Sequence, residues 1–369
     1  MTARIAVSVG CPCGIGPEVS VVAAAGERRA RVLLVGDAAT IRAAGAGRGI
    51  DARRLVRVAQ PGDGWRLPMD HLAVWQPTPD LALRDRKPGT PTAVAGAAQL
   101  AWIDEACDLV ARGDADALVT APVSKETIAA SGAPRADHFL GHTEHLQRRL
   151  RAPEVVMAFW SRRLVTSLAT THVQLARVPR ALTPVVVARA TYWLAWLLCE
   201  LSPREARISV ASLNPHAGEG GLLGSEESRQ IVPGIALARR RLRSAHIEAS
   251  VEGPVPAETA FRLALEGRWD GVVAMYHDQA TIPMKVTGFG AAVNVSLGLP
   301  IVRTSVDHGT AYDRAGTWAA DARGMRGAIR LAWRLVTNGA RSARSVSVAP
   351  RRPTPARPAT ASKRRARSV

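Results

Sequence analysis

The chain is poor in cysteine: it has only Cys11, Cys13, Cys107 and Cys199, and no CxxC pair. That excludes a disulfide framework and a four-thiolate zinc site, and it points to a reducing, cytoplasmic setting. Long apolar runs are also missing. YWLAWLLCEL, residues 192–201, spans half of the ~20 residues that a bilayer requires. The run in ARIAVSVGC is about six residues, short of the ~7–15 of a signal-peptide core. No Rossmann fingerprint is present, because Gly14 and Gly16 are followed by Val19 where a third glycine belongs. No internal repeat is visible. From Arg341 onward acids are absent as well: the last 29 residues hold nine Lys or Arg, half of the formal net charge of +18. The body keeps only moderate positive charge, which does not mark it as a nucleic-acid binder.

What the sequence does have is 369 residues, enough for two domains, at a mean hydropathy of +0.00. Short aliphatic runs alternate with Ala-rich helical stretches. RIAVSVG leads into GPEVSVVAAAGE, with Pro17 in the first turn and Glu18 favourable to the helix dipole; RVLLVGD leads into AATIRAAG. DALVTAPVS leads into KETIAASG, and RISVASLNPHAGEGG into SEESRQIVPGIALARRRL. This alternation predicts an α/β protein on a mainly parallel sheet, with ligands at the strand ends. The pattern stops near Asn338, and residues 339–369, rich in Pro, Arg, Ser and Ala, are expected to be a disordered basic tail.

The candidate chemistry lies at the predicted strand ends. His172, His216 and His277 each follow a strand-like run and open a polar loop. Three imidazoles with an open position describe a catalytic metal site, yet spacings of 44 and 61 residues match no local zinc motif. Separate hydrogen-bonded histidines remain the alternative. His142 and Thr143 of LGHTEHL stand at a predicted helix start, where they suit an anion or a simple N-cap. Ser124 and Lys125 carry the same two readings. Lys285, Asn294 and Arg303 are donors spaced through strand-like segments, and VNVSLGLPIVRTS reads as strand, turn, strand. The loop DHGTAYDRAG has no core value and the composition of a binding loop.

GIGPE, VTAPVSK, GHTE, TTH, LNPHAGEGG, GPVPAET, AMYHDQ, VNVSLGLPIVRTS and DHGTAYD, in this order from residue 4 to about 330, resemble the PdxA family. The resemblance implies two α/β/α domains with a cleft between them, similar to isocitrate and isopropylmalate dehydrogenases. It assigns residues 1–140 with about 305–338 to the cofactor side, and 141–304 to metal, substrate and dimerisation. It implies oxidation and decarboxylation of 4-phosphohydroxy-L-threonine with NAD or NADP and a divalent metal (Zn, Mg or Co), in pyridoxal-phosphate biosynthesis. By resemblance the metal ligands fall on His172, His216 and His277, the third from a partner subunit of a homodimer, with Glu258 near the metal. Substrate contacts fall on His142, Thr143, Lys285, Asn294 and Arg303, and cofactor contacts on His308, Gly309, Thr310, Asp313 and Gly316. Lys285, as a proton carrier or the neutraliser of an anion, and Asp278 are the candidate catalytic residues. Arg314 stands where a small aliphatic residue is usual in the family, a difference that bears on NAD against NADP. Cys11 replaces an acid of the family's turn, which makes it a specificity candidate in a ligand-facing loop. Related activities on 4-phospho-D-threonate or 4-phospho-D-erythronate, and a non-catalytic paralogue binding nucleic acid through its tail, are the alternatives.

Overall fold

The computed structural model describes residues 2–288 and 290–345. The first aliphatic runs form β1 (Ala3–Ser8), β2 (Ala30–Val35), β3 (Leu55–Val58), β4 (Leu72–Trp75) and β5 (Ala117–Thr120). Between them lie α1 (Gly16–Ala25), α2 (Ala38–Gly47), the one-turn α3 (Pro61–Gly64) and α4 (Ala93–Arg112). The chain continues through α5 (Lys125–Ala129), α6 (His142–Arg149), β6 (Val156–Trp160), β7 (Val165–Leu168), α7 (Val178–Ala181) and α8 (Pro184–Leu201). Next come β8 (Ala206–Ala211), α9 (Val232–Ser244), β9 (Ala249–Val255), α10 (Ala257–Leu265), β10 (Gly271–Ala274) and α11 (His277–Gly288). The hairpin β11 (Val293–Leu297) and β12 (Val302–Val306) precedes the long α12 (Arg323–Ser345).

All twelve strands join one sheet in the order β3-β4-β2-β1-β5-β12-β11-β6-β7-β10-β8-β9. Central strands such as β1 and β2 are aliphatic on both faces because helices cover both, so Ile5, Val7, Leu33 and Leu34 are fully buried. The sheet is parallel except at its middle, where β12–β11, β11–β6 and β6–β7 run antiparallel. Short connections force the first and the last of these, since a tight hairpin can return only antiparallel. Gly298 turns the first hairpin at φ 89°, where a Cβ would stand 2.7 Å from the Glu154 carbonyl oxygen. In the second, Ser161 Oγ accepts from the Leu164 and Arg163 amides at 3.0 and 3.2 Å.

Two expectations change. The apolar segment at 192–201 belongs to an 18-residue helix, α8, long and apolar enough to span a bilayer by length and composition. Its face bearing Val187, Ala190, Leu194, Leu197 and Leu198 is buried against the sheet and α9, which makes it a core helix. The tail begins later than predicted, because α12 carries the helix through Ser345; residues 346–369 lie outside the described residues.

Between β1 and β5 the strand order reverses direction, since β1 leads outward to β2 while β5 lies on its other side. Crevices at the carboxyl ends of such strands are where open α/β sheets bind ligands. Here that crevice is framed by the turn after β1, the loop from β5 into α5, and the loop after β12.

Candidate functional site

Arg303, near the start of β12, is 3% exposed. It donates to Asn294 Oδ1 at 3.1 Å and Ser296 Oγ at 2.8 Å on β11, and to Thr120 Oγ1 at 2.7 Å on β5. All three acceptors are neutral, and its Nε is buried without a partner. No carboxylate of the described residues comes within ion-pair distance of it. A buried guanidinium without a counter-ion carries a desolvation cost of several kcal/mol, which a bound anion would offset. Burial lowers its pKa accordingly, and the nearby Glu144 opposes that. Thr143, 6% exposed, meets Ser296 Oγ through its own hydroxyl at 3.2 Å. The N-cap alternative for Thr143 is thereby removed, because α6 begins one residue earlier and its cap is Gly141. His142 Nε2 is buried and unpartnered; burial, then Arg303, His145 and Lys125, push its pKa well below the ordinary range. This end of the site is a neutral imidazole and a cation, both short of partners. The hairpin reading of VNVSLGLPIVRTS matches the pairing of Asn294 with Ser305.

The histidines divide differently from expectation. His277 opens the helix α11 instead of a loop, and its ring lies 5.7 Å from that of His172 in the same chain. The resemblance had assigned that third imidazole to a partner. His172 Nδ1 stands 3.5 Å from Glu144 Oε1, and His277 Nδ1 stands 2.7 Å from Asp278 Oδ1. With each Nδ1 beside a carboxylate, each Nε2 is left as the donor atom, the usual arrangement around metal-ligating imidazoles. His216 does not join them: among the described residues no three His, Cys, Asp or Glu side chains gather closely enough to hold a metal ion. It sits in the segment Pro215–Gly221, whose residues 216–220 are left-handed, with φ 51° at His216 and 54° at Ala217. Glu227 braces the approach to that run by accepting from the Leu213 and Asn214 amides at 2.9 and 2.8 Å. Glu258 is exposed at the start of α10, bonded to Thr259 Oγ1 at 2.6 Å, and likewise stands apart from the imidazole pair.

Lys285 lies on α11, not on a strand, eight residues after His277 and therefore on the same helix face. It lines a cavity of about 160 Å³ with Ile15, Asp307 and His308. Burial raises the Asp307 pKa, against the pull of Lys285, His277 and His308. The loop after β12 then packs on the glycine turn. Ile15 donates its amide to the Thr310 carbonyl at 3.0 Å, and a Cβ on Gly14 would meet that oxygen at 2.7 Å. Glycine at 14 is a packing requirement. His308 Nδ1 lies 3.1 Å from the Gly309 oxygen and its Nε2 is buried without a partner. Gly316 borders a second cavity, of about 440 Å³, with Pro12, Gly14 and Trp318; Gly309 and Asp313 border neither cavity.

Cys11 is not in that cleft. Its side chain is fully buried, with Sγ 3.4 Å from the Tyr312 hydroxyl. Cys13 is equally buried and donates to the Asp85 carbonyl at 3.3 Å. The Cys13 hydrogen bond, then that of Tyr312, pulls the Cys11 thiol down against its burial, while Cys13 is pushed up. Pro12 and Gly14 face the cavity; the two cysteines face inward, because the turn closed by the Gly14 amide on the Cys11 carbonyl points alternate residues to opposite sides.

Sequence reasoning missed Glu144, Asp307, Thr120 and Ser296, and left Lys125 ambiguous. One signal was available. The chain has four lysines against 45 arginines; Lys87 and Lys285 line these cavities, and Lys125 stands close enough to His142 to act on its charge. Where arginine is otherwise the rule, a lysine beside a cavity or beside the buried His142 marks a place for a compact ammonium.

A family model described as "Pyridoxal phosphate biosynthetic protein PdxA" matches residues 28–332. A curated relative from Geobacter metallireducens, named 4-hydroxythreonine-4-phosphate dehydrogenase, is 42% identical over 337 residues, covering 89% of this chain and 94% of its own. The solved structure of a 4-hydroxythreonine-4-phosphate dehydrogenase from Klebsiella pneumoniae is similar at a TM-score of 0.75 and 33% identity, covering 90% of this chain and 99% of its own. A terephthalate 1,2-cis-dihydrodiol dehydrogenase from Burkholderia xenovorans LB400 is similar at a TM-score of 0.61 and 30% identity, covering 91% and 98%.

Proposed function

The chain belongs to the PdxA family, and from that premise we propose that it oxidises 4-phosphohydroxy-L-threonine with NAD or NADP and decarboxylates it to 3-amino-2-oxopropyl phosphate, serving pyridoxal-phosphate biosynthesis. It is a dehydrogenase of a phosphorylated hydroxy acid. The observation that carries the reading is Arg303, a buried cation held only by neutral oxygens, beside the unpartnered Nε2 of His142. Both groups need an anionic, hydrogen-bonding ligand, and a phosphate or carboxylate meets that need.

We assign residues 1–140 with about 305–338 to the dinucleotide, and 141–304 to the metal, the substrate and the contact between two copies, in a cytoplasmic homodimer. His172 and His277 fit a divalent cation through their Nε2 atoms, with His216 supplied by a second copy of the chain; imidazole suits zinc or cobalt better than magnesium. When bound, the cation supplies Lewis-acid polarisation of substrate oxygens, and the nicotinamide supplies a hydride acceptor. The chain's own part is to bind and orient. Arg303, His142 and Thr143 hold the anionic end, and Glu144 and Asp278 fix the imidazoles. Lys285 faces the cavity with Asp307 and His308, where it donates the proton that replaces the departing carboxylate.

The test is formation of reduced dinucleotide from 4-phosphohydroxy-L-threonine, 4-phospho-D-threonate and 4-phospho-D-erythronate side by side, with Zn²⁺, Mg²⁺ or Co²⁺ added after chelation. Turnover of the first substrate that is lost on chelation and regained with metal is the expected result. Exclusive turnover of another substrate, or full activity after exhaustive chelation, overturns the reading.

A further inference from the structure

The cavity of about 440 Å³ is bordered by α2 and by the loops after β1, β4 and β12, and its walls include two kinds of group that bear on a ligand. One kind is apolar. Trp318 is held at φ 56° with its indole against Gly47, where a Cβ would meet ring atoms at 2.3 Å. Leu83, 78% exposed, lines the same space. An indole seated on a glycine and an uncovered leucine make a slot for a flat, weakly polar group such as a nucleobase.

The other kind is cationic. Arg84, Arg86 and Lys87 follow one another on the loop after β4, broken only by Asp85, and all three line the cavity. Arg86 Nε is buried without a partner. Arg84 is 85% exposed, and its contact with Asp85 is a loose 3.6 Å. Lys87 makes no ion pair among the described residues.

The acids that would balance or replace these cations are occupied. Asp85 is 5% exposed and accepts from Thr92 Oγ1 at 2.8 Å. Asp37, at the end of β2, is fully buried and accepts from the Thr40 amide and hydroxyl, both at 2.7 Å, and from the Leu81 amide at 3.3 Å. Glu18, which also lines the cavity, gives Oε1 to Arg48 at 3.1 Å and to the Ala320 amide at 2.9 Å, while its Oε2 is buried without a partner. A dinucleotide site that selects a free ribose diol offers it a carboxylate, whereas one that selects a 2′-phosphate offers arginine. This rim offers arginine and lysine; Asp37 and Asp85 are turned to structural tasks, and the one unpartnered carboxylate oxygen, Glu18 Oε2, is closed off from solvent.

Resting on the reading of the chain as a dinucleotide-dependent dehydrogenase, we propose that Arg84, Arg86 and Lys87 form a phosphate-monoester subsite that selects the dinucleotide carrying a 2′-phosphate over the one with a free ribose diol. The cavity's position fits this end of the cofactor. The smaller cavity with Lys285 lies across Gly14–Ile15, on the side where His277 acts on Asp307, and takes the reactive end. The cation rim is on the far side of the turn, where the adenosine of an extended dinucleotide arrives.

The test is calorimetric binding of 2′,5′-ADP and 5′-AMP to the full chain and to Arg86→Ala/Lys87→Ala, alongside kcat/KM for NADP and NAD. The native chain is expected to bind 2′,5′-ADP about 10-fold or more tighter than 5′-AMP, as charge-assisted phosphate contacts provide. The double variant is expected to bring the two within about 2-fold, and Arg84→Ala to narrow the gap in part. Equal binding of both nucleotides to the native chain, or a preference that survives the double variant, overturns the proposal while NAD turnover keeps the dehydrogenase reading. If neither nucleotide binds and neither dinucleotide is reduced, both fall.

Discussion

At the scale of single residues, burial decides what each group does. Arg303 costs stability where it stands, so Arg303→Met is expected to leave the melting temperature unchanged or raise it. The same change is expected to raise KM for the phosphorylated substrate by about 10- to 100-fold, the worth of hydrogen bonds to a charged group. A large fall in melting temperature would make Arg303 structural. His142 contributes a pH dependence of known sign. Its folded pKa is depressed, so below about pH 6.5 the unfolded chain binds a proton that the folded chain refuses, and stability falls as pH falls. Above that pH both forms are neutral and the effect vanishes. The slope approaches about 1.4 kcal/mol per pH unit for one proton, and urea midpoints at pH 7 and 5 should diverge less in His142→Gln. Cys11→Asp would bury a carboxylate whose nearest hydroxyl is that of Tyr312. It is expected to lower the melting temperature and to act on dinucleotide KM through the loop, with kcat for substrate little changed. A shift in substrate choice instead would return Cys11 to the ligand-facing role expected from the family's turn.

At the scale of elements, close backbone approaches set where the site loops stand. Gly96 on α4 is the tightest of these: a Cβ there would lie 2.0 Å from the Thr127 carbonyl oxygen and 2.4 Å from its carbon. Both atoms are backbone of α5, the helix whose start carries Ser124 and Lys125, and Gln99 of α4 accepts from the Ser124 amide at 2.9 Å. Gly96→Ala therefore must push α5 away from α4. We expect a destabilisation of about 1–3 kcal/mol, as for other overpacked sites, together with reduced activity from the displaced Lys125. Thermal melts and kinetics read the two effects separately. A melting curve like that of the native chain would show that the contact yields without cost. The alternation of short strands and Ala-rich helices was legible because parallel strands covered on both faces leave continuous aliphatic runs. The hairpin of β11 and β12 was legible because Gly298 and Pro300 mark its turn. The length of α8 was not, since valines and a threonine ahead of Tyr192 read as polar-flanked fragments until packing joined them into one helix.

At the scale of the whole molecule, one chain assembles the His172–His277 pair but not His216. In a symmetric dimer, each centre would then combine two imidazoles of one copy with the third of the other. Co-refolding His172→Ala with His216→Ala, each inactive alone, should restore about a quarter of native activity, because half of the dimers are mixed and each mixed dimer regains one site. No restoration would mean that all three imidazoles act within a single copy, and full activity of His216→Ala alone would mean that His216 has no part.

The sequence by itself determined the α/β class, the family, and the positions where chemistry belongs, because strand ends and the hairpin turn are set by local pattern. Tertiary structure decided the partnerships. His172 and His277 are 105 residues apart, Glu144 meets His172 across the fold, and Arg303 becomes an uncompensated cation only once β5 and β11 close over it. The fate of the acids was hidden in the same way: nothing local marks Asp37 and Asp85 for burial, and the fold commits them to capping and bracing. Charge and spacing are local properties that a chain displays residue by residue. Desolvation and counter-ion supply are properties of a folded neighbourhood, and they fix which of those charges remain available to a ligand.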